Sequence, residues 1–466
     1  SGSVAVTFAK PLEGAALEVT ASMVNAIGNT TPDSASDSAI LDTTVPNNNV
    51  APTVQITTDD NNDGFVNNDE LSGATTLTVK GSFDNTYVVA GDSLVFSDGT
   101  TSKTIVLTDD DVFNGFATTT FNKPAEGGTL TVTATLTDLG GNTTPASAAD
   151  SAKLDTVAAN GGNALGLNID IDTTNDGNIN ATEKGVVTTT NLTATFDKLL
   201  VSVGDKVTFS DGTSTQVVTL VAADITAGKV ISTGWNLPAE GGTLNVTAVL
   251  TDAAGNTTPQ ANDTTVLDTL TPSVPTVFIA TDADNNALVN ATELGTATTF
   301  TVTGTFDNTA TFVGDKLVFT IGATTQTVTL TATDIANGFV SIEADKPAEG
   351  GVLTAKVKLV DAAGNASADS ATDSATLDTL APSKPTVTIT TDTNNDGFIS
   401  ATELGASASI TARAALNTLT VPVTVGDSVT FTDASGLTST VTLTATDITN
   451  GFVTTTFDAP SEGESL

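Results

Sequence analysis

One phrase returns five times along this chain, and its spacing constrains the fold more than any single residue does. KPLEGAALEVTA at Lys10 recurs as KPAEGGTLTVTA at Lys123, LPAEGGTLNVTA at Leu237, KPAEGGVLTAKV at Lys346 and APSEGESL at Ala459. The prolines of the phrase, Pro11, Pro124, Pro238, Pro347 and Pro460, lie 113, 114, 109 and 113 residues apart. Solenoid repeats run to roughly 20–50 residues, so a period this long implies that each copy is a domain with its own core. The expected organisation is the C-terminal part of a repeat over 1–46, whole repeats over 47–157, 158–270 and 271–380, and the N-terminal part of another over 381–466. SGSVAVTF at the start has the phase of NGFATTTF at Asn114, and Leu466 has the phase of Leu17, as expected of a segment of a longer array.

Inside each copy the clearest element is TLTVTATLTD, in which Leu130, Val132, Ala134 and Leu136 alternate with threonines. This period of two predicts a strand with one buried and one wet face. The same phase runs through Leu244, Val246, Ala248 and Leu250, through Leu353, Ala355, Val357 and Leu359, and through Leu17, Val19, Ala21 and Met23. Further strands read as TVQITT, TTLTVKGSF, DSLVFS, KTIVLT, GFATTTF and the segment ending in AKLDT, with tight hairpins at Asp98-Gly99 and Asp211-Gly212. No helical periodicity is visible. About seven short strands in roughly 110 residues predict an all-β fold, a tandem array of β-sandwiches.

Charge narrows the chemistry. The chain has 54 acidic and 15 basic residues, a formal charge of −39, and neither histidine nor cysteine. Phosphate binding needs clustered Lys and Arg, so neither nucleic acid nor an anionic membrane surface is an expected partner. Thiolate and imidazole chemistry is absent, and with it the common ligands for zinc, copper or haem. Carboxylates at this density suit a hard cation such as Ca²⁺. No apolar run is long enough to span a bilayer, and the first residues do not read as a signal peptide.

The acids are concentrated in a loop after the first strand of each copy. DDNNDGFVNNDE, from Asp59 to Glu70, fits the calcium-loop pattern D-x-[DN]-x-[DN]-G-x₅-E. Asp59, Asn61 and Asp63 hold its first three ligand positions, Gly64 the turn, Val66 the apolar position and Glu70 the closing bidentate position. The fourth loop fits equally through Asp392, Asn394, Asp396, Gly397 and Glu403. In the second, Asp172, Asp176, Gly177 and Glu183 fit, but Thr174 occupies the third position, with Asp170 close by in sequence. In the third, Asp282, Asp284, Asn286 and Glu293 fit, but Ala287 replaces the glycine. A left-handed non-glycine residue costs roughly 1–2 kcal/mol, so this loop is expected to bind more weakly or in another geometry. The alternative is that Asp, Asn and Gly simply make soluble turns. A glutamate twelve positions into every loop is not demanded by turn chemistry and favours a cation. Flanking strands argue against a sensor that opens a helix pair.

Leu-Asp-Thr closes each copy, placing Asp42, Asp155, Asp268 and Asp378 before a linker. The next acidic loop begins 17 residues after Asp42 and 14 after Asp378. These aspartates are therefore expected to approach the calcium cluster of the loop that follows, from the preceding domain, unless they only cap a strand end. The D-x-x-G-N turns ending at Asn142, Asn256 and Asn365 are further candidates to approach that cluster, and read more readily as structural turns than as ligands. Three linkers carry proline, whereas VAANGGN after Thr156 has none and is expected to be the most flexible junction without metal. Trp235, where other copies have Thr or Phe, is expected to fill a bulge.

Each bound Ca²⁺ would remove two charges where repulsion is greatest, making calcium a rigidifier. Extracellular modules bind it at about 10⁻⁴–10⁻³ M, a range that leaves such sites empty in a cytosol and filled outside. Strands of about seven residues give each repeat a span of about 40 Å, so the array is expected to form an elongated rod. The tandem sandwiches, the LDT-x-x-P junctions, the PAEGGTLTVTA and TDAAGN phrases and the NNDGF loops resemble the bacterial immunoglobulin-like extender domains of giant repeats-in-toxin adhesins. The resemblance covers the whole chain. It implies immunoglobulin-like sandwiches with calcium at domain junctions, type I secretion, a cell-surface or biofilm-matrix location, and a terminal adhesive domain outside this segment. The implied role is a structural extender that projects that domain for adhesion and biofilm formation, with neighbouring repeats as its partners.

Other classes are weighed against this. A self-assembling matrix filament or surface layer would use lateral contacts between copies. A glycan-binding module lacks a repeated aromatic platform, since Trp235 and Tyr87 stand at non-equivalent positions. Alternating threonines are explained by β-propensity without ice contact. An enzyme is the least expected, because paired-carboxylate hydrolysis needs one cleft with two acids at a set separation, not acids spread over similar loops.

Overall fold

The computed structural model describes residues 2–416 and 421–465; Ser1 and Leu466, where the first and last expected repeats begin and end, lie outside them. The chain divides into two compact units, 1–269 and 270–466.

In the first unit, β1 (Ala16–Val19) pairs antiparallel with β2 (Asp37–Ile40). Among the described residues no sheet opposes this pair; Leu17 and Val19 are half-buried, and Ala21 and Met23, expected inside, are exposed. The next repeat is complete: β3 (Thr53–Ile56), β4 (Phe65–Val66), α1 (Asn68–Leu71), β5 (Thr76–Ser82), β6 (Ser93–Ser97), β7 (Ser102–Val106), α2 (Asp109–Asn114), β8 (Phe116–Asn122), β9 (Thr129–Thr137) and β10 (Asp150–Leu154). Its strands form a sandwich of a three-stranded sheet, β3-β5-β8, and a five-stranded sheet, β4-β10-β9-β6-β7. Only the two-residue β4 runs parallel, against the end of β10. The same 3 + 5 order recurs over 166–267 in this unit and over 276–377 in the second. After residue 381 a three-stranded sheet faces a two-stranded one.

Period-two patterning builds the core. In β9, Leu130, Val132, Ala134 and Leu136 are buried, and they meet Leu77, Val79, Leu94, Phe96 and Phe121 from the other strands. Burying each such large side chain stabilises the fold by about 1.5–3 kcal/mol. The packing is close enough that a Cβ on Gly81 of β5 would lie 2.7 Å from Leu94 and 2.9 Å from Phe96, so glycine is required there. Asp150 ties the two sheets together by accepting a hydrogen bond from the Ile56 amide at 2.6 Å; Asp263 and Asp373 do the same for Ile169 and Ile279.

One feature departs from the sequence reading. Short helices of four and six residues occur in each repeat after residue 46, too brief to leave a 3.6-residue apolar period. Their signal lies in their ends: Thr108 and Asp111 form a capping box for α2, which Gly115 closes at φ 74°. The linker without proline makes the same hydrogen bonds as the linker before it. Asn160 is buried, its amide donates to the Leu200 carbonyl at 2.7 Å, and its side chain accepts from the Asp197 amide. Asn47 does the same for Tyr87 and Asp84 in the preceding linker. Trp235 is buried at a register shift opposite Thr190, beside Gly234 at φ 83°, and its indole donates to Ser232.

Candidate cation sites in the loops and at the junctions

All four acidic loops fold alike. The first aspartate accepts hydrogen bonds on both oxygens from the loop's own backbone: Asp59 from the amides of Asp63 (3.1 Å) and Gly64 (3.0 Å), and Asp172 from those of Asp176 and Gly177. Asp282 and Asp392 repeat the pattern with Asn286 and Ala287, and with Asp396 and Gly397. Burial pushes the Asp59 carboxyl up; the two amides counter this and the charges of Asp63 and Glu70 add to it.

The closing glutamates have a second role that the loop pattern does not reveal. Glu70 accepts from the Asn67 amide at 3.0 Å while Asn67 accepts from Glu70, a capping box around α1. Its other oxygen reaches the Asn61 amide at 3.4 Å. Glu183, Glu293 and Glu403 cap in the same way through Asn180, Asn290 and Ser400. The Ser400 amide and hydroxyl hold Glu403 down at about 2. Helix capping alone therefore accounts for a glutamate at the twelfth position, and that residue does not by itself argue for metal. Asn61 and Asn394 accept from the amides of Asp63 and Asp396, the same turn-making use of a side-chain oxygen.

The third loop, expected to differ, keeps the common backbone. Ala287 takes φ 68°, the left-handed conformation that glycine occupies in the other loops, and its amide still donates to Asp282. Carboxylate oxygens of Asp282, Asp284 and Glu293 lie within 4.8 Å of one another, with Asp282 buried.

The Leu-Asp-Thr ends are tied through their backbone to the acidic loop of their own repeat. The amides of Asp155, Asp268 and Asp378 each donate at 3.0 Å to the apolar position of their own repeat's acidic loop, at Val66, Ile179 and Val289. In the first unit, the following repeat grips the aspartate from its D-x-x-G-N turn. Asn142 donates to the Asp42 carbonyl at 3.2 Å and to Asp138 at 2.9 Å, and Asn256 donates to the Asp155 carbonyl at 2.8 Å. The carboxylates beside Asp42 are thus Asp138 and Asp92, rather than those of the loop that follows it in sequence.

Asp92 was not singled out from the sequence. It is 2% exposed; one oxygen accepts from the Val89 amide at 3.0 Å, and the buried Oδ1 faces the Leu139 amide without a well-formed hydrogen bond. Burial raises its pKa, and the charges of Asp138 and Asp42 raise it further. Asp205 occupies the same place in the next repeat, 2% exposed and raised by burial and by Asp252 and Asp155. Asp155 is raised in turn, by burial and then by Asp252. The signal is a Gly-Asp pair before the same strand in four copies, at Asp92, Asp205, Asp315 and Asp427.

The glutamate of the repeated PAEGG phrase holds the threonine of Leu-Asp-Thr. Glu126 accepts from the Thr156 amide at 2.7 Å and hydroxyl at 2.8 Å; Glu240 and Glu349 bind Thr269 and Thr379 likewise. Glu13 is drawn down to about 2 by the amide and hydroxyl of Thr43. This clasp explains why the two phrases recur together.

No protein-family model matches the chain, and no curated protein matches it. Among solved structures it is similar to a Ca²⁺-stabilized adhesin that helps an Antarctic bacterium reach out and bind ice, at 25% identity over 88% of this chain and 91% of that one, with a TM-score of 0.29. It is also similar to a tetra-tandem repeat in the extending region of a large adhesion protein, at 20% identity over 87% and 90%, TM-score 0.27. Fibronectin(III)-like modules of Clostridium thermocellum match at 17% identity over 46% of this chain and 94% of theirs, TM-score 0.29.

Proposed function

We propose that this chain is a non-catalytic extender of a bacterial cell-surface adhesin, with Ca²⁺ stiffening the junctions between its sandwich repeats. The observation that carries this reading is the burial of Asp92 beside Asp138 and Asp42, with Oδ1 lacking a well-formed hydrogen bond. A buried carboxylate with one weakly met oxygen, beside two further carboxylates, costs several kcal/mol unless a cation or proton neutralises it. The donors are all oxygen, which suits a hard cation of six to eight ligands. Asp92, Asp138 and Asp42 would hold one ion, and Asp205, Asp252 and Asp155 its counterpart at the next junction. Two residues of each set belong to the following repeat and one to the preceding, so the ion would bridge them. The acidic loops, through Asp59, Asn61, Asp63 and Glu70 and their counterparts, are further candidate sites.

The extracellular location, type I export and projection of an adhesive domain for biofilm formation belong to the same proposal. A junction cation that is absent in a calcium-poor cytosol and bound outside would leave the chain pliable during export and stiff afterwards. The test is calcium stoichiometry by isothermal titration calorimetry on the wild-type chain and on Asp92→Asn with Asp205→Asn. Loss of the junction ions in the double variant is expected. Equal stoichiometry, or no binding by wild type, would contradict the reading.

A further inference from the structure

The exit of an acidic loop is part of the next junction. In the first unit, four hydrogen bonds close a ring: Asp155 amide to Val66 carbonyl (3.0 Å), Asn67 Nδ2 to Ala254 carbonyl (2.9 Å), Asn68 amide to Asn256 Oδ1 (3.0 Å), and Asn256 Nδ2 to Asp155 carbonyl (2.8 Å). Val66, Asn67 and Asn68 are the end of the loop and the start of α1; Ala254 and Asn256 belong to the following repeat and are buried. Gly255, at φ 90°, turns so tightly that a Cβ there would meet Asn67 Nδ2 at 3.4 Å.

Asn67 divides its side chain between two tasks. Its Oδ1 accepts from the Glu70 amide and caps α1, while its Nδ2 crosses to the next repeat. Glu70 in turn reaches back to the Asn61 amide inside the loop. A continuous chain of hydrogen bonds therefore runs from the loop interior through α1 to the neighbouring turn.

We infer that α1 is the transmission element through which the acidic loop of one repeat sets the orientation of the next. The inference rests on the extender reading but concerns a different contact from the junction carboxylates. Order in the loop fixes α1, and α1 fixes the turn at Ala254 that also carries Asp252. The loop and the junction then respond as one unit, although their carboxylates do not share an ion.

The absence of native cysteine makes a clean test in the full chain. Asn122→Cys and Thr243→Cys, both exposed, place one nitroxide label on each side of the junction. Double electron–electron resonance then reads the width of the inter-label distance distribution, with calcium and with chelator. Asn67→Ser keeps the cap, since Ser400 caps the equivalent helix, but it removes the amide that crosses. It is expected to widen the distribution in calcium. Asp59→Asn with Asp63→Asn, which leaves every junction carboxylate in place, is expected to widen it similarly. A wild-type width for Asn67→Ser, or for the loop pair once calorimetry shows fewer bound ions, overturns the inference. If wild type has equal widths with calcium and with chelator, the calcium reading fails instead, and the role of α1 is decided by Asn67→Ser alone.

Discussion

The acidic loop over Asp59–Glu70 and the junction cluster around Asp92 are both carboxylate-rich, yet they dispose of their oxygens in opposite ways. Asp59 and Glu70 have their oxygens satisfied by backbone amides of the loop and its helix cap. Asp92 is as buried as Asp59, and one of its oxygens has only the Leu139 amide near it, without a well-formed hydrogen bond. Motif spacing points to the first site, and poorly met hydrogen bonding points to the second. Agreement with a ligand pattern reports which residues are available; a poorly met buried acceptor reports which cannot be left as they are.

The sharpest way to break this comparison is to neutralise one carboxylate in each place. Asp59→Asn turns an accepting oxygen into a donor facing the Asp63 or Gly64 amide, and is expected to cost about 1–3 kcal/mol in urea unfolding, with or without calcium. Asp92→Asn removes a buried charge from a cluster of like charges. It is expected to leave the chelated protein equally or more stable, and to abolish about 1–3 kcal/mol of calcium-dependent stabilisation at saturating metal. Equal behaviour of the two variants would erase the distinction between loop and junction.

A smaller effect compares loop with loop. Ala287 holds a left-handed φ, so Ala287→Gly is expected to raise stability by about 1 kcal/mol without calcium. Its calcium affinity should also rise if the cation needs the same backbone. A destabilised variant would show that Ala287 makes packing contacts worth more than its strain.

The clasp between Glu13 and Thr43 gives the smallest signal. Its folded pKa of about 2 lies below the ordinary 4.5. Its contribution is therefore complete above about 4.5 and lost as pH falls towards about 2. A carboxyl NMR titration of the chelated chain should find Glu13 protonating well below an exposed glutamate. A midpoint near 4.5 would mean that the clasp is not formed in solution.

Much of this was legible in the residues. Threonine alternation in TLTVTATLTD gave the strand and its buried face, because a two-sided strand must repeat every second residue. The helices were hidden by their length, although Asn67-x-x-Glu70 and Thr108-x-x-Asp111 are capping boxes and a glycine follows α2. Glu70 read as a calcium ligand because its local helix was not seen. Asp92 belongs to no motif that its own stretch of sequence displays. Its significance comes from Asp42 and Asp138, which lie 50 and 46 residues away in sequence and meet it only once the repeats are folded and stacked. The glutamate of PAEGG was recognised as a repeat marker, and its bond to a threonine 30 residues later needed the fold.

Small-angle X-ray scattering of the chain in millimolar calcium and then in excess chelator tests the central claim most directly. The account predicts a long, thin particle whose maximum dimension shortens and whose conformational spread grows on chelation, with Asp92→Asn plus Asp205→Asn resembling the chelated state even in calcium. An unchanged scattering profile on chelation would show that hydrogen bonds such as those of Asn47, Asn142 and Asn256 set the junctions unaided, and would contradict calcium stiffening.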